Sequence, residues 1–325
     1  MSDESRTSGL GAAWRFAVGT LTILPVRPVE AGRVVVGRAM ALAPFVGVLL
    51  GLAGAVVLVA AGSLSGSPLL GAVLAVGALA WLTRALHLDG LADLADGLGS
   101  GKPSDGALEV MKRSDIGPFG VVTAVIALLV QVAALSRGDA VAWVALVTAA
   151  VTGRLAVTWA CREGVPPARP TGLGALVAGT VRRGAAIGAT LASAVVVAVL
   201  ALVAAIGAPA FCVPAAGGTR VVLDLAALFP VGFDRLSNDY GYPTSANGGT
   251  LGAGLRSTGL LSHLTVDPYL LAPAGLLLAM AAGLGAAALL RRRAVRRLGG
   301  VTGDVLGALV ETATTVTLLA AVLLV

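Results

Sequence analysis

An all-α, polytopic integral membrane helical bundle of about seven transmembrane helices is the fold class this sequence predicts. Three observations carry the prediction. Apolar residues make up 57% of the 325 and charged residues only 12%, where a soluble domain carries about a quarter charged. Mean hydropathy is +0.93. Apolar runs long enough to cross a hydrocarbon core, about 20 residues as helix, recur between short charged segments. An open sheet could not satisfy its backbone in lipid, and the runs lack the period-two alternation of barrel strands.

In chain order, the run at 16–26, FAVGTLTILPV, is too short to span and ends near Pro25, so it reads as an interfacial or re-entrant segment. Acids precede it and no small-residue cleavage site follows a basic head, so no cleaved signal peptide is expected. Seven spans follow, at roughly 39–62, 69–86, 118–135, 141–160, 184–207, 269–290 and 305–325. The segment 221–233 is too short to span and is interrupted by Asp224 and Pro230. The chain reads as one membrane-embedded catalytic domain, 1–325, with a turn-rich extracytoplasmic insertion at 208–267. Cys161 and Cys212 have no metal-type spacing and suggest neither a disulfide framework nor a zinc site.

Basic residues set the expected orientation, because Lys and Arg in short loops favour the cytoplasmic side. Eighteen of the 23 fall in the N-terminal segment and in the connections after the second, fourth and sixth spans; only Arg137, Arg220, Arg235 and Arg256 stand opposite, and Arg154 lies inside a span. The N-terminus is therefore expected in the cytoplasm. The segments HLDGLADLADG (87–97), MKRSDIGPFG (111–120), REGVPPARPTGLGA (162–175) and RRLGGVTGD (296–304) then share the cytoplasmic face, where one site could be assembled from them.

The first of these gathers three carboxylates in a chain otherwise poor in charge. If it continues the second span as helix, Asp89, Asp93 and Asp96 stand at i, i+4 and i+7 on one face. Like charges so placed repel and call for a cation; hard oxygen ligands at a membrane edge suit Mg²⁺ or Mn²⁺, held by one or two carboxylates with water and substrate phosphate. The plainer reading is a solvated acidic segment with Asp as caps and turn formers beside Gly90 and Gly97. Lys112 and Arg113 could steady the non-bridging oxygens of a diphosphate, or anchor the chain to anionic lipid. Arg154 is the basic residue deep enough to cost energy, and either contacts an anionic substrate or snorkels to the nearby membrane edge. His87 is a candidate ligand or base, or merely interfacial. No P-loop occurs.

These residues resemble the cobalamin synthase family, the adenosylcobinamide-GDP ribazoletransferases. The resemblance rests on HLDGLADLADGLGSG, on ALEVMKRSDIGPFGVV (107–122), on GLGA at 172–175 and on LGGVTGDVLGALVE (298–311). FAVGTLTILPV and APFVGVLLG (43–51) also look like the family's opening. It implies a Mg²⁺-dependent inner-membrane enzyme joining adenosylcobinamide-GDP to α-ribazole or α-ribazole 5′-phosphate. A ribose hydroxyl attacks the phosphorus on the cobinamide side, and GMP leaves. Under that reading Asp89, Asp93 and Asp96 are catalytic and hold the metal with Lys112 beside them. His87, Arg113, Asp115, Arg154, Arg169 and Asp304 then bind substrate. The implied partners are these substrates and the lipid bilayer, with no nucleic acid; a homo-oligomer stays open.

Two other classes remain. A CDP-alcohol phosphotransferase uses D-x-x-D-G-x-x-A-R, which Asp93 to Gly97 begins, but Ser100 and Gly101 stand where A-R is required. A transporter with an acidic cation site would place acids near the midplane of repeated halves.

Overall fold

The computed structural model describes residues 3–30, 32–138, 141–210, 212–214, 220–222 and 268–325. The insertion expected at 208–267 and the segment 221–233 therefore lie almost entirely outside the described residues. Two three-residue strands inside them, β1 Cys212–Pro214 and β2 Arg220–Val222, pair antiparallel.

The other described residues are mostly helical. α1 (Asp3–Leu21) holds most of the short N-terminal run and packs on α2 (Arg33–Ser65) through Ala13, Ala17, Val18 and Leu21. Residues 22–30 follow as irregular chain. α3 (Pro68–Leu82) opens with the side chain of Ser67 accepting from the Leu70 N–H and Pro68 in the first turn, a start that needs no donor from the proline. After α4 (Leu86–Gly99), α5 (Ser104–Val110) and α6 (Pro118–Leu135) comes α7 (Ala142–Ala160), buried along most of its length. Its Ala, Thr and Gly side chains are small enough for α2 to approach closely, as bundles in lipid require, and α7 forms the centre of the bundle. α8 (Leu173–Val177), α9 (Arg183–Ala210), α10 (Pro268–Leu298) and α11 (Gly303–Leu324) complete the order.

The seven expected spans fall on α2, α3, α6, α7, α9, α10 and α11. Six of these helices are long and apolar enough to cross a membrane alone, and a seventh crossing is reached when α3 and α4 are counted as one broken span. α3 must return, because its start lies against Gly138 after α6 and its glycine Gly71 packs on Leu58 and Gly62 near the end of α2.

One expectation needs correction. Residues 87–97 are helical but do not continue the second span: Arg84 and Ala85 adopt φ of +55° and +54°, and α4 leaves α3 at 87°. Two non-glycine residues in the left-handed region cost of order 1–3 kcal/mol each. The surroundings hold them there, since Arg84 donates to the carbonyls of Gly19 and Thr22 and the Ile23 N–H donates to the Leu82 carbonyl. α4 consequently turns away from α3 and runs over the first turns of α6 and α11.

Candidate active site

α4 can cross α11 closely because Gly90 faces the Asp304 backbone; a Cβ on Gly90 would stand 2.6 Å from the Asp304 carbonyl oxygen. This glycine brings the acids of two distant segments together. Asp304 lies in the first turn of α11, capped by Thr302, whose hydroxyl accepts from the Val305 N–H and donates to the Asp304 carboxylate at 3.2 Å.

The three acids of α4 meet different surroundings. Asp89 is exposed, Asp93 half-buried and Asp96 buried. Asp93 is pushed up to about 7 by burial first, then by the charges of Asp89, Asp304 and Asp96, with Arg169 opposing. Asp96 turns away from this group: its Oδ2 accepts from the Gly117 N–H at 2.7 Å and its Oδ1 from the Gly120 N–H at 2.9 Å. Both oxygens thus satisfy donors that the N-terminus of α6 leaves unpaired, where a negative charge is also favoured by the helix dipole. The expectation was that Asp89, Asp93 and Asp96 together hold one or two divalent ions; in the structure both oxygens of Asp96 are engaged by backbone donors at the start of α6. Among the described residues no three of His, Cys, Asp and Glu gather tightly enough to enclose a metal by themselves.

Asp89 and Asp304 line a cavity of about 150 Å³ with His87, Leu173 and, from α1 and α2, Thr20 and Met40. His87 is buried and its Nδ1 has no hydrogen-bond partner. The charge of Arg154 reaches it from α7. Arg154 is itself buried, with an unpartnered Nε, and the charge that acts on it in turn is that of Glu311 on α11. Gln131 of α6 donates to Glu311 at 2.9 Å and to the Thr315 hydroxyl at 3.0 Å. A polar sequence therefore leads from the acidic end into the bundle.

Above the acids the connections are stitched together by backbone hydrogen bonds. The Ala168 N–H donates to the Val301 carbonyl and the Val301 N–H to that of Pro166, each at 3.0 Å, while Glu163 and Cys161 pair with Val181. The Arg169 guanidinium donates to the Leu108 carbonyl beyond α4, so it lies among the acids and acts on both Asp93 and Asp304. Cys161 is fully buried beneath this surface, and burial pushes its thiol well up.

Of the residues singled out in the sequence, His87, Asp89, Asp93, Arg169 and Asp304 are brought together. Arg154 lies beneath them, and Asp96 serves α6. Lys112, Arg113 and Asp115 are exposed on the link before α6, and none is among the charges acting on Asp93 or Asp304. Glu311 and Gln131 were not singled out. The available signal was an acid seven residues after Asp304 and an amide inside an apolar run, both costly in lipid unless paired.

The family model for cobalamin-5-phosphate synthase matches residues 13–266 and 242–322. An adenosylcobinamide-GDP ribazoletransferase of Frankia casuarinae is 40% identical over 320 residues, covering 94% of this chain and 92% of the relative. One from Bradyrhizobium diazoefficiens is 35% identical over 317 residues with the same coverage, and one from a Nocardioides species is 46% identical over 187 residues, 56% of this chain and 80% of the relative. No solved structure gives a significant match.

Proposed function

The chain belongs to the cobalamin-5-phosphate synthase family, and from that membership we propose the following reaction and division of labour. The enzyme transfers the adenosylcobinamide phosphoryl moiety of adenosylcobinamide-GDP to α-ribazole or its 5′-phosphate. The acceptor's ribose oxygen forms a bond to the phosphorus on the cobinamide side, the bridging P–O bond to GMP breaks, and the hydroxyl proton is released.

The observation that carries the assignment of the site is that Asp89 and Asp304 line one cavity with His87, and that the charges of both act on Asp93. Three carboxylates with Arg169 as their opposing cation form a donor set that suits a hard divalent ion, and Mg²⁺ binds through one or two carboxylates plus substrate phosphate rather than in an all-protein cage. Asp89, Asp93 and Asp304 would hold Mg²⁺, which when bound neutralises charge on the transferring diphosphate. Arg169 steadies phosphate oxygens, since its guanidinium is fixed on Leu108 within reach of the acids. Asp96 positions α6 and through it the link carrying Lys112 and Arg113, which meet the nucleotide as it enters. His87, buried and with a free Nδ1, contacts substrate at the cavity floor.

The enzyme lies in the plasma membrane with this end towards the cytoplasm; the support is the concentration of Lys and Arg at the end that carries the acids.

The test is turnover of protein in vesicles with adenosylcobinamide-GDP and α-ribazole, read as GMP release and as product mass, across a Mg²⁺ titration. The reading requires a cobalamin product that depends on divalent ion and that falls in Asp93→Asn and Asp304→Asn. Product formation unaffected by a chelator, or by both substitutions, overturns it.

A further inference from the structure

Between α7, α9, α10 and α11 lies a second cavity, of about 280 Å³, that shares no lining residue with the acidic site. Ala156 and Trp159 of α7, Thr190 of α9, Gly285 and Arg291 of α10 and Leu309 of α11 line it. Farther along, α9 and α10 share an apolar cluster that includes Val197, Ala201, Leu276 and Met280. A Cβ built on Gly285 meets nothing within 4 Å.

The charged residue in the lining is Arg291. Arg291 is half-buried and its Nη1 donates to the Trp159 carbonyl at 3.1 Å, which holds the guanidinium at the cavity instead of letting it reach outward. The charges acting on Arg291 are those of Arg162 and Arg292, and no carboxylate is among them. The Nε of Arg162 is buried without a hydrogen-bond partner. An apolar slot between spanning helices, lined at one end by Arg291 with the charges of Arg162 and Arg292 acting on it, is complementary to a molecule with a hydrocarbon tail and an anionic phosphodiester head.

We propose that this cavity seats one acyl chain of an anionic phospholipid whose phosphate is held by Arg291, Arg162 and Arg292. Arg291, the one of the three that lines the cavity, supplies guanidinium N–H donors to the phosphate oxygens, and the charges of Arg162 and Arg292 beside it add to the attraction. Small residues at 156 and 285 leave the width a methylene chain needs, and the Trp159 indole, which donates to the Thr190 hydroxyl at 3.0 Å, forms the wall beside it.

Trp159 reports occupancy directly. The protein would be placed in phosphatidylcholine vesicles titrated with phosphatidylglycerol or phosphatidylcholine carrying brominated acyl chains, with the Trp159 signal taken as the difference between wild type and Trp159→Phe. Phosphatidylglycerol should quench that signal at the lower mole fraction, and Arg291→Gln should weaken its preference about fivefold, the worth of one basic residue near an anionic surface. Gly285→Leu fills the open space without touching the arginines and should abolish quenching of Trp159 by either lipid. Equal quenching by the two lipids, or an unchanged preference in Arg291→Gln, overturns the proposal. If Trp159→Phe does not fold, phosphatidylglycerol retained by wild type, Arg291→Gln and Gly285→Leu is counted by native mass spectrometry. Equal retention by all three overturns the proposal, as does displacement of the lipid by α-ribazole.

Discussion

Asp93 and Asp96 stand three residues apart on one helix, yet one stands among like charges and the other accepts from two backbone N–H groups. Their Asn variants should therefore fail differently. Asp93→Asn and Asp304→Asn remove charge from a mutually repelling group, so thermal stability should hold or rise slightly. Turnover should fall on the order of a hundredfold or more if charge neutralisation supplies several kcal/mol. Asp96→Asn keeps one acceptor but turns the other position into a donor facing an N–H, and should cost about 1–3 kcal/mol of stability, with turnover lost in proportion to folded protein. Melting curves beside single-turnover rates separate the two; a stable but inactive Asp96→Asn would return that residue to the chemistry. Spacing made the shared face legible, but not the turning of Asp96 to α6, because its partners come from 21 and 24 positions later. Cys161 offers an independent check at this scale. The thiolate is the reactive form, and burial both hides the group and raises its titration, so in a Cys212→Ser background folded protein should resist maleimide and label only after denaturation.

At the scale of elements, the crossing of α4 over α11 depends on an absent side chain. Gly90→Ala would press a methyl on the Asp304 backbone, which cannot swing aside as a flexible side chain could. The helices must then separate and the acids with them, so turnover should fall at least tenfold while membrane insertion is kept, the loss expected for about 1.4 kcal/mol of misplacement. Gly77→Ala on α3, where a Cβ meets nothing within 4 Å, is the control; equal activity of the two variants would refute the dependence on this crossing. Arg154, Glu311 and Gln131 join α7, α11 and α6 inside the bundle. Removing Glu311 leaves Arg154 buried without its acid, so Glu311→Gln and Arg154→Met should be non-additive, with a coupling of about 0.5–3 kcal/mol in a double-mutant unfolding cycle. Additive effects would mean that the two charges act separately. The helices themselves were legible from apolar run length. The sharp turn between α3 and α4 was not, because Arg84 and Ala85 are neither Gly nor Pro and are held left-handed by contacts with α1 and the chain after it.

Across the whole molecule, four segments widely separated in the chain meet at one end, as the alternation of spans and the placing of the basic residues predict. Alternating spans leave every second connection on one side, and the basic residues cluster in those connections. The bonds that join them were beyond reach, since the Pro166–Val301 and Cys161–Val181 pairings use backbone atoms that carry no side-chain signal. The geometry places these connections at a common end, and the positive-inside tendency supplies the side of the membrane. Single cysteines at Ser100 and Thr171, at the acidic end, and at Ser65, where α2 finishes at the opposite end, distinguish the two orientations in a chain lacking Cys161 and Cys212. With an impermeant thiol reagent on intact cells, position 65 should label while 100 and 171 stay protected until the membrane is opened. The reverse pattern would turn the acids outward, away from cytoplasmic nucleotide. Labelling of 65 and 171 together, with 100 protected, would break the common end itself, because Thr171 belongs to the connection that Val301 and Arg169 tie over α4.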